Sequence, residues 1–154
     1  MAELITSTTA ETLIDAVIRR IAGMQPTAVR HRAHRWTPEY RNRRRATSLQ
    51  VRAFIVTIVP GGELDGGLTG LADVETEADL LVRVDYRSVP IEDLDLIVTH
   101  DAQDLADRLC DSWHPTIAGL TRSEFAGLEF VDEEQVQRVE YSFAISYLRA
   151  RTTT

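Results

Sequence analysis

A chain of 154 residues can bury one substantial core and is short for two, so a single domain spanning 1–154 is expected. With 44 % hydrophobic and 27 % charged residues it lies away from the composition of disordered chains. Its apolar runs, such as Phe54-Ile55-Val56, fall far short of the roughly 20 residues of a membrane helix.

The net charge of −7 conceals a division along the chain: residues 1–58 carry ten Arg against four acids, residues 59–154 seven Arg against twenty, and there is no Lys. Regions of opposite sign suit head-to-tail contacts between copies, and planar guanidinium groups suit interfaces. The rival accounts are a coding bias toward Arg and neutralisation of the two regions within one fold. Met1-Ala2-Glu3-Leu4 has an acid where a secretory signal has basic residues, and no apolar stretch follows, so an intracellular protein is expected. The single Cys110 fits a reducing compartment and reads as a small buried hydrophobe.

In chain order, Thr8-Thr9-Ala10-Glu11 has the form of a capping box. Leu13, Ile14, Val17, Ile18 and Ile21 form one stripe, and Gly23 and Pro26 supply a stop, which predicts a helix over 9–23. Alternation from Thr27 to Trp36 predicts a half-exposed strand, and the aperiodic 37–45 a connection. Gln50 to Val59 is β-branched and apolar on both sides, a central strand ended by Pro60-Gly61-Gly62. Residues 61–76 hold five of the eight glycines and four acids and read as a flexible loop.

Leu80 to Arg87 alternates as a third strand. After Pro90, Leu94, Val98, Ala102, Leu105, Leu109 and Trp113 share one helical face, with Asp93, Asp104, Asp107 and Asp111 off it, which predicts a helix over about 91–113 closed by His114-Pro115. Leu96-Ile97-Val98 as a short strand before a helix capped near Asp101 is the competing reading. Phe125, Leu128 and Phe130 suggest a short strand before an acidic turn at 132–134, and Gln135 to Arg149 a long closing strand. The expected class is α+β: an antiparallel or mixed β-sheet with two α-helices packed on one face.

Candidate chemistry is sparse. His31 and His34 would face opposite sides of a strand with no ligand beside them, so no metal is expected. His100, Asp101 and Ser112 have the residue types of a triad without a nucleophile turn. The glycines match no nucleotide loop and no Lys is present to contact a phosphate, so no cofactor and no catalytic residues are expected. The cluster Arg30, Arg32, Arg35, Arg41, Arg43, Arg44 and Arg45, interleaved with Trp36 and Tyr40, supports either a nucleic-acid-binding module or a basic surface for an acidic partner; the overall negative charge favours the second.

The N-terminal helix, the strand ending Ile58-Val59-Pro60, the segment Val82-Arg83-Val84-Asp85-Tyr86, the helix with Asp101-Ala102 and Leu105, and the strand with Val139-Glu140-Tyr141-Ser142-Phe143 together resemble small virion proteins of tailed bacteriophages. The likeness is to the tail terminator and head-tail joining group, and it covers nearly the whole chain through size, element order and texture. It implies a non-enzymatic structural protein, made in the host cytoplasm and resident in the virion neck. Such proteins form hexameric rings that cap the tail tube and meet the head connector, with DNA passing through the lumen. A head-tail adaptor or stopper ring is the neighbouring possibility. The partners implied are further copies of the chain, the tail tube protein and connector proteins, and no membrane. The expected interface residues are the seven arginines just named and the acids Glu63, Asp65, Asp73, Glu75 and Glu77, the acidic loop ordering on assembly.

Overall fold

A computed structural model of the chain describes residues 8–28, 36–38, 52–63, 73–86, 89, 91–110, 120–133 and 136–150. The first helix, α1 (Ala10–Ala22), is capped by Thr9, whose Oγ1 accepts the Thr12 N–H at 3.2 Å. The cap is therefore Thr9 rather than the expected Thr8, and Thr12 stands where the Glu of a capping box would. Thr8 is engaged elsewhere: its N–H donates to the Leu148 carbonyl at 2.8 Å, which ties the start of α1 to the last strand. Leu13, Val17 and Ile21 are buried on one stripe, and the helix stops at Gly23 as expected.

A five-stranded mixed sheet follows, in the order β1-β2-β3-β5-β4. Its strands are β1 (Trp36–Pro38), β2 (Arg52–Glu63), β3 (Asp73–Tyr86), β4 (Leu120–Glu133) and β5 (Val136–Ala150). All pairings are antiparallel except the short parallel β1 against β2. The second helix, α2 (Ile91–Leu109), joins β3 to β4. Buried side chains of α1 and α2 share one core with Phe54 and Val56 of β2, Ala78 to Tyr86 of β3 and Val139 to Tyr147 of β5. These sheet residues alternate along their strands, so both helices lie on the same face. The fold is α+β, with two helices on one face of a mixed sheet.

Several boundaries differ from those the sequence suggests. Thr37 and Pro38 belong to β1 rather than to a connection, and Pro38 is tolerated because β1 is the outermost strand, where a missing N–H breaks no ladder. Residues 29–35, most of the expected first strand, lie outside the described residues, as do 111–119 beyond α2. β2 runs through Pro60-Gly61-Gly62 to Glu63, with a register shift between Pro60 and Glu63. Gly61 makes that passage possible: a Cβ there would come within 2.9 Å of the Glu77 carbonyl oxygen. β3 begins at Asp73, seven residues before the expected start, so the supposed loop over 61–76 is replaced at both ends by paired strand.

β4 is also longer than expected and carries two irregularities, between Leu120 and Arg122 and between Phe125 and Gly127. Gly127 has φ +142°, a conformation that side-chain-bearing residues avoid. Gly127→Ala should therefore lower stability by about 1–3 kcal/mol through backbone strain. The added methyl group meets nothing within 4 Å, so no steric clash competes with that explanation. Urea unfolding of the variant with an unchanged midpoint would refute it.

Among the described residues no helix is long and apolar enough to cross a membrane.

Candidate functional site

Of the expected interface residues, the seven arginines Arg30, Arg32, Arg35, Arg41, Arg43, Arg44 and Arg45, and Asp65, lie outside the described residues. Glu63 ends β2 and Asp73 begins β3. Glu75 and Glu77 were expected in a loop that orders on assembly. They instead sit in the middle of a ladder, opposite Leu148 and Ser146 of β5. The cause is alternation: Val74, Thr76 and Ala78 point into the core, which forces Glu75, Glu77 and Asp79 onto the opposite face of β3. Their Cα atoms are spaced about 6.8 Å apart along the strand, two residues at a time.

These three carboxylates form a fixed anionic column on the face of the sheet away from the helices. Glu77 and Asp79 are exposed; Glu75 is half-buried and accepts the Thr121 hydroxyl at 3.0 Å. Further along the same face the charge is neutralised within the chain. Arg83 Nε donates to Glu140 at 2.6 Å, and Arg138 makes a two-pronged contact to Asp85 at 2.6 and 3.2 Å. The outer face therefore grades from anionic at one end of β3 to internally paired at the other.

The second concentration of polar chemistry lies inside the protein. Arg52 at the start of β2 and Asp101 on α2 have fully buried side chains, and Arg52 Nε donates to Asp101 Oδ2 at 2.7 Å. Tyr86, at the end of β3 and opposite Arg52 in register, donates its hydroxyl proton to the same oxygen at 2.7 Å. Its proton being so used, the hydrogen bond between the Tyr86 and Tyr141 hydroxyls must have Tyr141 as donor. The result is a directed chain, Tyr141 to Tyr86 to Asp101, closed by the guanidinium. Arg52 also stands 5.8 Å from the centre of the Trp36 ring.

Burial governs the protonation of this cluster. Desolvation lifts the Asp101 carboxyl above its usual value, while the bonds from Arg52 and Tyr86 hold it down. Desolvation raises both tyrosines too, so they remain neutral hydroxyls. Asp101 is thus bonded to Arg52 and Tyr86, and the cluster has the character of a core fastening.

Two expectations about α2 are corrected by this arrangement. Asp104 was placed off the apolar face; it is buried, accepting the Thr27 N–H at 3.0 Å and the Thr27 hydroxyl at 2.7 Å. Those bonds anchor the chain leaving α1 to α2. Ile97, absent from the expected stripe, is fully buried on it.

At their C-terminal ends the two helices cap each other. Arg20 Nε donates to the Arg108 carbonyl at 2.6 Å and Arg108 Nε to the Arg20 carbonyl at 3.0 Å. Last-turn carbonyls lack helical partners and sit at the negative end of the helix dipole, so each guanidinium satisfies both demands of the other helix.

Neither a protein-family model nor a curated protein matches the chain.

Proposed function

We propose that this chain is a non-enzymatic structural virion protein of the tail-terminator kind, whose copies form a ring that caps the tail tube and joins it to the head connector. The observation that carries the reading is the column Glu75, Glu77 and Asp79. It is held on a strand paired along both edges, so a partner meets it without an ordering penalty. The sequence supplies a complementary element in the Arg30 to Arg45 stretch of a neighbouring copy. Contacts between two different surfaces of identical chains propagate head to tail, and they close as a ring where the rotation between copies returns to its start. Arg52, Tyr86 and Tyr141 are bonded to Asp101 or to one another, although Asp101 Oδ1 and Trp36 Nε1 have no hydrogen-bond partner among the described residues.

Sedimentation across a concentration series, paired with negative-stain images, tests the reading. A hexameric ring is expected, and it should loosen in high salt and in a Glu75→Gln, Glu77→Gln, Asp79→Asn variant, because the contact is electrostatic. A strict monomer that binds DNA in a salt-dependent manner, and loses that binding when Arg43, Arg44 and Arg45 are replaced, would overturn the ring in favour of a nucleic-acid-binding module. A ring that binds connector and ignores the tube end would move the assignment to an adaptor or stopper.

A further inference from the structure

The outermost strand opposite β1 is β4, which runs for 14 residues. Its partner β5 lies on one side only, so a row of backbone N–H and C=O groups faces outward without a strand partner among the described residues. Edges of this kind are ordinarily blunted by Pro, charged residues or bulges; Leu120 to Glu133 has no Pro, and its two register shifts and its charges are the features that any pairing along it must accommodate.

This edge also carries the apolar side chains that the helices leave uncovered. Phe125 is 38 % exposed, Leu128 37 % and Phe130 49 %. Leu128 is three positions beyond Phe125, a spacing that would put them on opposite faces of a regular strand. The bulge at Ala126 and Gly127 removes the conflict. Phe125 pairs with Phe143, Leu128 with Tyr141 and Phe130 with Val139, all three β5 partners being buried on the helix-bearing face. The irregularity therefore assembles one continuous apolar stripe beside an edge that no described strand pairs.

We propose that this edge is a two-fold interface on which a second copy of the chain adds its own β4 antiparallel, joining two five-stranded sheets into one. The strand is complementary to itself. If Ala126 is counted out, as the pairing with β5 counts it out, an antiparallel match centred on Leu128 sets that residue against its own copy. Phe125 then lies opposite Phe130 of the second copy, Glu124 opposite Val131, Gly127 opposite Glu129 and Arg122 opposite Glu133. No acid faces an acid. Centring the match one position away, on Gly127 or on Glu129, sets Glu124 opposite Glu129 in the first case and Glu129 opposite itself in the second. Like charges directly opposite are destabilising, so charge and apolar pattern select the same register among the three.

The pairing does not rest on the ring reading. An isologous contact closes on itself, whereas a ring of uniform direction needs head-to-tail contacts on other surfaces.

Cross-linking tests the pair. In a Cys110→Ser background, Leu128→Cys should give a reducible two-chain species under mild oxidation, since only a two-fold match brings this position to its own copy. Leu96→Cys is the control, an exposed apolar position on α2 away from the edge. Cross-linking at Leu128→Cys no greater than at Leu96→Cys, with circular dichroism showing both folded, would overturn the interface. In sedimentation, Arg122→Glu should weaken pairing about tenfold and adding Glu133→Arg should restore it; an unchanged association in Arg122→Glu would count equally against the register. A hexameric protein that fails to cross-link sinks the pair and leaves the ring. A two-chain species that cross-links and never grows larger sinks the ring and leaves the pair.

Discussion

Replacing Arg52 with Met should destabilise the protein by roughly 3–5 kcal/mol at neutral pH, because the Asp101 carboxylate is then buried without its cation. Both side chains are fully withdrawn from water, so solvent cannot compensate the loss. The effect should depend on pH in a definite direction. Burial already holds the Asp101 carboxyl above its ordinary value of 3.8, and Arg52 opposes that rise. Without the guanidinium the folded-state pKa climbs further. An acid whose folded pKa exceeds its unfolded one binds a proton more tightly when folded, so it lowers stability as pH rises through the folded value. The deficit of Arg52→Met is therefore expected to be larger at pH 7 than in acid and should shrink as pH falls toward the unfolded value. Paired urea titrations of wild type and variant, at pH 7 and about pH 4.5, measure this; a deficit that does not narrow would contradict the buried pair. Arg52→Met combined with Asp101→Leu should be less harmful than Arg52→Met alone, since no orphaned charge remains.

The second large effect separates two adjacent residues. Ile97 is fully buried on α2, whereas its neighbour Leu96 is 55 % exposed. Ile97→Ala should cost about 2–5 kcal/mol through lost burial and a cavity. Leu96→Ala should stay within about 0.5 kcal/mol. The phase of the helix is tested by a third residue, Val98, which is 2 % exposed although it stands two positions from Leu96. If Leu96-Ile97-Val98 formed a strand, Leu96 and Val98 would share a face and Ile97 would oppose them. Thermal or urea unfolding of Val98→Ala beside Leu96→Ala, with equal losses for both, would defeat the helical assignment.

Much of this architecture is legible in the sequence, and its failures have physical causes. The stripe from Leu13 to Ile21 and the alternation from Val139 to Tyr147 are strong periods, and α1 and β5 lie where those periods put them. The first half of β3 is hidden by composition, because Gly and acids over 61–76 suggest a loop. Yet Val74, Thr76 and Ala78 alternate with Glu75, Glu77 and Asp79 as plainly as any strand. Period was the better guide there than composition. β2 was cut short for a similar reason: Pro60 and two glycines normally end a strand, and here a bulge against Glu77 absorbs them.

The candidate site was less visible. Asp101 sits on the apolar stripe of α2 between Val98 and Leu105, and Arg52 shares the inward face of β2 with Phe54 and Val56. An acid on one apolar stripe and a base on another suggest a buried pair, but Asp104 is buried on α2 as well, so which acid meets Arg52 depends on the packing of α2 against β2. That Tyr86 and Tyr141 complete the group depends on strand order, which no local pattern states. Likewise, Phe125, Leu128 and Phe130 break the two-residue period of a strand. That break announces the bulge, but it does not reveal that β4 is the outermost strand.

The crossed arginines between α1 and α2 make the last turns of both helices a joint structure. A helix ordinarily unravels from its end, one residue at a time, at little expense. Here, loosening the final turn of α1 also withdraws the guanidinium that holds the final turn of α2, and the reverse is equally true. The two tips should therefore fray in concert or remain wound together. Any partner that grips one of them alters the dynamics of the other without touching it.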